Sequence, residues 1–407
     1  TTIAEVLKAA GYATGMVGKW GVGLPGTPGV PNNQGFDYSC GFYDQSRAHT
    51  FYPWYLMEND EVIPLPQNYG FDMENSYKHN RSDVGMHQYT PEGELIPKGI
   101  EKPSEAINSQ DYIHQKALEF VDKNHQKPFF LYYATQLPHG PVITPNLGDY
   151  RQKPWDQKHQ EWAAMMDHLD RCVGEIIRKT ETLGIAENTL IFFASDNGYA
   201  QWGYFNRKRY TDDPLFQNKG PWKGGKFIPL DGGVRVPFMA CWPGTINPGI
   251  CRELVSLYDL LATASDLAGG TPPLNDGKSL VPLLLQEDLE EPLHEFLYWE
   301  NGSHSTHAQS ARFGKWFAYR EHPSKPVELW DVTQDISCLY EVSGEFPEIA
   351  RKAVRIFEQE HSPSEWYINP GESDEVTEKK REKVKNENSF QQNIRANSKY
   401  PWELDFR

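Results

Sequence analysis

Thr189-Leu190-Ile191-Phe192-Phe193-Ala194-Ser195-Asp196-Asn197-Gly198 is the stretch on which the fold turns. Its first six residues are an apolar run with β-branched members, of the length of a buried strand. The last four end that strand with a carboxylate and an amide side by side. In open α/β sheets ligands gather outside the carboxyl ends of the strands, so Asp196 and Asn197 become binding candidates. Asp beside Asn offers oxygen ligands only, which suits a hard cation such as Ca²⁺ better than zinc. Asp-Asn-Gly is also ordinary turn chemistry after a strand, so the reading depends on its surroundings.

Working outward, Trp162, Met165, Met166, Leu169, Val173, Ile176 and Ile177 recur at helical spacing and predict a long helix that runs into Gly184. Before it lie a helix over Tyr112–Lys123 and a strand over Phe129–Ala134; after the key stretch come a strand, Val236–Trp242, and a helix around Leu254–Leu267. At the start, Thr2 and Glu5 form a capping box for a helix stopped at Gly11. Tyr12–Gly18 then reads as a strand, followed by a Gly/Pro-rich loop over Gly21–Gly35. This alternation predicts an α/β fold, a doubly wound, mostly parallel sheet. Residues from about Met57 to Gln110 are polar with little periodicity, which reads as a functional loop region over a cleft.

After Gly269-Gly270 the pattern changes. Short strand-like runs at Phe296–Trp299, Ser310–Phe313, Lys315–Tyr319 and Glu328–Trp330 precede one amphipathic helix, Pro347–Gln359. A smaller α+β subdomain, an antiparallel sheet plus a helix, is expected there. The boundaries drawn are 1–275 for the main α/β domain, 276–370 for the subdomain, and 371–407 for a charged tail that is a solvated helix or disordered.

The 407 residues carry a formal charge of −16, which argues against a nucleic-acid backbone as partner. A few local cations can still dominate one cleft and take a small anion. No apolar run reaches the ~18–20 residues that span a bilayer. The five cysteines show no Cys-x-x-Cys spacing, and Cys241 and Cys251 are near enough in sequence to bridge, which spacing alone does not decide. The chain opens without methionine or signal peptide, directly on a capped helix, and reads as cut at its amino end.

Four sites recur at the expected strand ends or in their loops: Gly18-Lys19-Trp20, Leu137-Pro138-His139-Gly140-Pro141, Ser195–Gly198, and Gly224-Gly225-Lys226 followed by Asp231-Gly232-Gly233-Val234-Arg235-Val236-Pro237. Two lysines, a histidine and an oxygen-only metal pair suit a tetrahedral oxyanion such as sulfate or phosphate. Each has an ordinary alternative: a surface lysine beside a turn, an exposed imidazole in a rigid turn, a flexible basic loop. Together, and with the opening Thr2–Thr14 segment, Asp276–Leu280 and Glu328–Asp331, they resemble the type I, formylglycine-dependent sulfatases of the alkaline phosphatase superfamily over roughly residues 1 to 360.

That resemblance implies an alkaline-phosphatase-like fold and hydrolysis of sulfate monoesters. By it, Asp196 and Asn197 correspond to calcium ligands, Lys19 and Lys226 to the lysines that hold the sulfate, and His139 to the histidine near the leaving group. It also implies a single Ca²⁺ and a formylglycine made from Cys or Ser in a Cys/Ser-x-Pro-x-Arg signature. That signature and the family's Asp pair after the first strand are absent; Cys241-Trp242-Pro243 has no following arginine and reads as a strand end entering a turn. The chain is therefore expected to lack its amino-terminal strand and nucleophile, and to be inactive alone.

Gly21 stands where many members have a histidine, so His49, with Arg47 on the same segment, is a candidate for part of that role or for substrate contact. His304 and His307 are candidates reaching the cleft from the subdomain. The aromatic run Thr50-Phe51-Tyr52-Pro53-Trp54-Tyr55 would stack on a sugar, or else packs its loop down, and a sulfated carbohydrate is the favoured substrate. No nucleic-acid or membrane partner is expected, and export to the periplasm or outside the cell is the family expectation. Two alternatives stay open: a two-metal phosphatase or phosphodiesterase of the same superfamily, and a non-catalytic binder of sulfated glycans.

Overall fold

The computed structural model describes residues 1–45, 47–71, 87–200, 213–287, 289–303, 306–366, 369 and 372–397. Its main sheet has five strands: β1 (Ala13–Lys19), β2 (Tyr38–Phe42), β3 (Tyr55–Glu58), β4 (Glu61–Pro64) and, on the other side of β1, β7 (Phe129–Ala134), in the order β4-β3-β2-β1-β7. β1 is parallel to both neighbours, with Gly18 opposite Gly41 on one side and Ala134 on the other. β3 and β4 extend the sheet as an antiparallel hairpin. Between β4 and β7 lie β5 (Gln88–Tyr89) and β6 (Leu95–Ile96), a minimal pair.

The helix Ile3–Ala9 starts on the expected box: Thr2 accepts from the Glu5 amide and the Glu5 carboxylate accepts from the Thr2 amide. Helices Ser109–Asn124 and Gln157–Thr182 cover the sheet, burying Ile113, Ala117 and Phe120 from the first and Met165, Leu169 and Cys172 from the second. The key strand is β8 (Ile191–Ala194), antiparallel to β9 (Phe238–Cys241) in a separate two-stranded sheet. It was expected to be buried. Instead Ile191, Phe192 and Phe193 are half-buried and Ala194 is exposed, because among the described residues β8 has a strand on one side only.

The second unit is a four-stranded antiparallel sheet, β10 (Leu297–Ser303), β11 (Thr306–Phe313), β12 (Trp316–Arg320) and β13 (Glu328–Asp331), packed by the helix Pro347–Glu360 through Ala353, Ile356 and Phe357. The α/β fold with a carboxyl-terminal antiparallel sheet is as expected; the main sheet is mixed, parallel across β2-β1-β7 and antiparallel from β2 through β3 to β4. The helix Asp374–Asn397 follows.

Two expectations for the segment after Arg47 need correction. The hairpin β3–β4 occupies its start, where polar composition masked short strands paired at a sheet edge. Phe51, Tyr52 and Tyr55 are 1%, 3% and 8% exposed, so these rings pack the core and are not a sugar platform. Residues 72–86 of that segment lie outside the described residues. All five cysteines are free, Cys241 and Cys251 included. No described helix is long and apolar enough to cross a membrane.

Candidate anion site at the strand ends

Lys19 closes β1, and the residue before it makes that possible. Gly18 has φ +123°, and a Cβ there would stand 1.9 Å from the Ala134 carbonyl oxygen, so only glycine lets β1 and β7 approach at this level. The chain then turns, with the Trp20 amide donating to Phe42 O at 2.8 Å and its indole to Gly29 O at 2.8 Å.

His139 follows β7 in a loop whose Leu137–Pro138 and Gly140–Pro141 bonds are both cis. Its Nδ1 donates to the Gly140 carbonyl, which assigns the proton to that nitrogen and leaves Nε2 with a lone pair. His49 lies against it, with ring centroids 4.5 Å apart at 61°. Gln136 brings these loops together. It is 1% exposed, and its Nε2 donates to Ala48 O at 3.0 Å and Thr50 O at 3.1 Å, bracketing His49. Its Oε1 accepts from Ser109 Oγ at 2.6 Å. Reading the sequence missed Gln136; an amide wedged between an apolar strand and a proline was its only signal.

The turn after β8 is stitched to the loop that carries Lys226. Gly198 N donates to Gly233 O at 2.9 Å and Lys226 N to Tyr199 O at 2.7 Å. A Cβ at Gly198 would meet Gly232 O at 2.3 Å, so glycine is required by close approach. Asn197 Nδ2 donates to Gly198 O at 2.9 Å, which leaves Oδ1 as its acceptor; the Asp196 carboxylate is exposed.

Lys19 lies within electrostatic range of His139, Asp196 and Lys226. Burial pulls the Lys19 amine below its ordinary value, Asp196 opposes that shift, and Lys226 reinforces it. Burial likewise drives His139 down to about 4, against the Gly140 hydrogen bond, with Lys19, His49 and Lys226 adding repulsion. In a protein of net charge −16, two lysines and two imidazoles thus lie within electrostatic range of one another, with one carboxylate near Lys19.

A stability consequence follows. Between the ordinary histidine value of 6.5 and about 4, the unfolded chain takes up a proton that folded His139 refuses. Its contribution is therefore full above pH 6.5 and lost as pH falls through that window. His139→Asn should shrink the drop in urea midpoint between pH 7 and pH 4.5; an unchanged drop would count against a buried neutral imidazole.

The other candidates fall differently. Arg47 lies on the same short turn as His49, Arg47–His49. His307, on β11, faces His322 at 6.2 Å, and His304 lies outside the described residues. The β10 end does reach the Lys226 loop, where Asn301 Nδ2 donates to Phe227 O. Cys241 closes β9 and Thr245 N donates to Trp242 O at 3.1 Å, a strand end entering a turn.

Asp196 and Asn197 Oδ1 are hard oxygen donors of the kind Ca²⁺ takes. Two residues do not fill its six to eight positions. Among the described residues no group of three or more His, Cys, Asp or Glu side chains is arranged to hold a metal ion.

A family model described as Sulfatase matches residues 1–270. An arylsulfatase of Hemicentrotus pulcherrimus is 32% identical over 318 residues, covering 73% of this chain and 48% of that protein. The human N-acetylgalactosamine-6-sulfatase is 32% identical over 290 residues, covering 69% of this chain and 48% of its own length. The chain thus spans about half the length of these curated relatives. The crystal structure of Ps i-CgsB in complex with k-i-k-neocarrahexaose is similar over 100% of this chain and 80% of that one, at 25% identity and a TM-score of 0.66.

Proposed function

Because the chain belongs to the sulfatase family, we propose that its strand-end site takes the sulfate group of a sulfated carbohydrate and is part of a sulfuric ester hydrolase. The observation that supports this reading is that Lys19, His139 and Lys226 lie within electrostatic range of one another, with Asp196 near Lys19. Lys19 and Lys226 neutralise sulfate oxygens as point charges, and their shared repulsion is relieved when an anion enters between them. The sugar is inferred from similar proteins, one named N-acetylgalactosamine-6-sulfatase and another solved in complex with k-i-k-neocarrahexaose.

His139 is neutral at pH 7, with its Nδ1 proton held on Gly140 O. A sulfate beside Nε2 favours the imidazolium, so binding draws a proton onto that atom, where a leaving oxygen would need one. His49, packed on His139, contacts the substrate or shares that proton. Asp196 and Asn197 Oδ1 would hold calcium, which when bound polarises sulfate oxygens. Their oxygen-only character favours this over a two-zinc site, which needs imidazole ligands.

The sequence contains no Cys/Ser-x-Pro-x-Arg signature, so none of these residues is assigned as nucleophile and no covalent step is drawn. The carboxyl-terminal boundary near 275 and a periplasmic or secreted location are part of the same proposal. The test is calorimetric titration of a sulfated monosaccharide into the 407-residue chain, beside an assay for aryl sulfate cleavage. Binding that strengthens from pH 7.5 to pH 5.5, without turnover, is the expected result. No binding at either pH would remove the anion site; turnover well above a His139→Ala control would overturn the expected inactivity.

A further inference from the structure

The loop that carries Lys226 is held from two sides, and the second side belongs to the other domain. Toward the key strand it is tied by the Lys226 and Gly198 backbone bonds described above. Toward the carboxyl-terminal sheet it is tied by Lys223. The Lys223 ammonium lies 4.1 Å from the centre of the Trp330 ring, donates to Cys338 O at 3.2 Å and sits 3.7 Å from a Glu328 carboxylate oxygen. Lys223 O also accepts from Gly232 N at 2.8 Å, which closes the loop on itself. Beneath it Ile228 and Leu230 pack into a cluster with Phe317, Trp330, Val332 and Cys338, all from the second domain.

We infer that Lys223 is a positioning residue that anchors the Lys226 loop on the carboxyl-terminal sheet, so that the second domain sets where the Lys226 ammonium stands. The inference rests on the proposed role of Lys226 in holding sulfate. Three of its own contacts engage the Lys223 ammonium, so this lysine is occupied by the scaffold and does not compete for the anion. Buried or stacked cation–π contacts supplemented by a carbonyl and a carboxylate hold a lysine in one place far better than an exposed ion pair does. If the anchor is released and Lys226 withdraws from about 4 to about 5 Å of a doubly charged sulfate, Coulomb attraction at an effective dielectric of about 20 falls enough to weaken binding about tenfold.

The experiment uses the full 407-residue chain with inorganic sulfate as probe, and follows the His139 titration by NMR with labelled histidine. Lys226→Ala should weaken sulfate and move the His139 midpoint upward, because one repelling cation is gone. Lys223→Met should weaken sulfate about tenfold and shift His139 in the same direction by less, and Lys223→Arg should restore both. In a Lys226→Ala background, Lys223→Met should do nothing more, which separates positioning from the plain loss of a charge. The inference is overturned if Lys223→Met leaves sulfate affinity and the His139 midpoint at wild-type values, or if its effects persist at full size without Lys226. If Lys226→Ala itself leaves sulfate affinity intact, the proposed role of Lys226 fails, and that outcome is visible independently of the Lys223 variants.

Discussion

Gly18→Ala should leave no cooperatively melting α/β domain. A Cβ at this position would lie 1.9 Å from Ala134 O and 2.5 Å from Ala134 C, a contact with backbone that no rotamer can relieve. The residue also holds φ at +123°, a region that alanine rarely adopts. On the opposite strand, a Cβ on Gly41 would meet Gly18 O at 2.0 Å, so β1 cannot shift sideways to make room. Overpacking and backbone strain at a central strand belong to the few mechanisms that cost more than about 4 kcal/mol. Gly344→Ala is the matched control, since nothing lies within 4 Å of its added methyl. A thermal melt of Gly18→Ala that overlays wild type would refute the close approach of β1 and β7, and with it the placement of Lys19.

The second large effect is expected at Lys19. Lys19→Met keeps the stem that packs at the end of β1 and removes the charge, so binding of a sulfated monosaccharide should weaken by about a hundredfold at low ionic strength. Asp196→Asn should act in the opposite sense in metal-free buffer, because it removes the carboxylate that faces the incoming anion beside Lys19. The same change should abolish any strengthening by added calcium. Titrations of the two variants with and without calcium separate these effects. If Lys19→Met binds within threefold of wild type, Lys19 is a structural lysine and the anion is held elsewhere.

Much of this was legible before any coordinates. The apolar run Phe129–Ala134 and the seven-residue stripe on the long helix are legible as strand and helix from run length and spacing, although Tyr132 and Met166 are exposed and only Met165 and Leu169 of the stripe are fully buried. Lys19, His139, Asp196 and Lys226 could be nominated because each follows a strand or closes one, where α/β folds present their loops. What could not be read is what depends on partners distant in sequence. β2 hides in Tyr38-Ser39-Cys40-Gly41-Phe42, whose small and polar residues fit only because β1 lies alongside with glycine opposite glycine. His49 looked like any loop histidine until Gln136, 88 residues from Ala48, drew its segment against His139. Of the two readings of the aromatic run after it, packing holds: rings in a polar stretch can be the rivets of that stretch, and Phe51 and Tyr52 are.

Among the described residues β7 is the end strand of its sheet, yet it is spelled Phe-Phe-Leu-Tyr-Tyr-Ala, with no charge and no proline, and Tyr132 is 46% exposed. Natural sheets protect a margin of that kind with lysine, a bulge or a covering loop. An end strand of this composition is a template for an extended apolar peptide, a neighbouring copy included. Self-association of this polypeptide at high concentration is therefore expected to start along six residues that take no part in the proposed anion site.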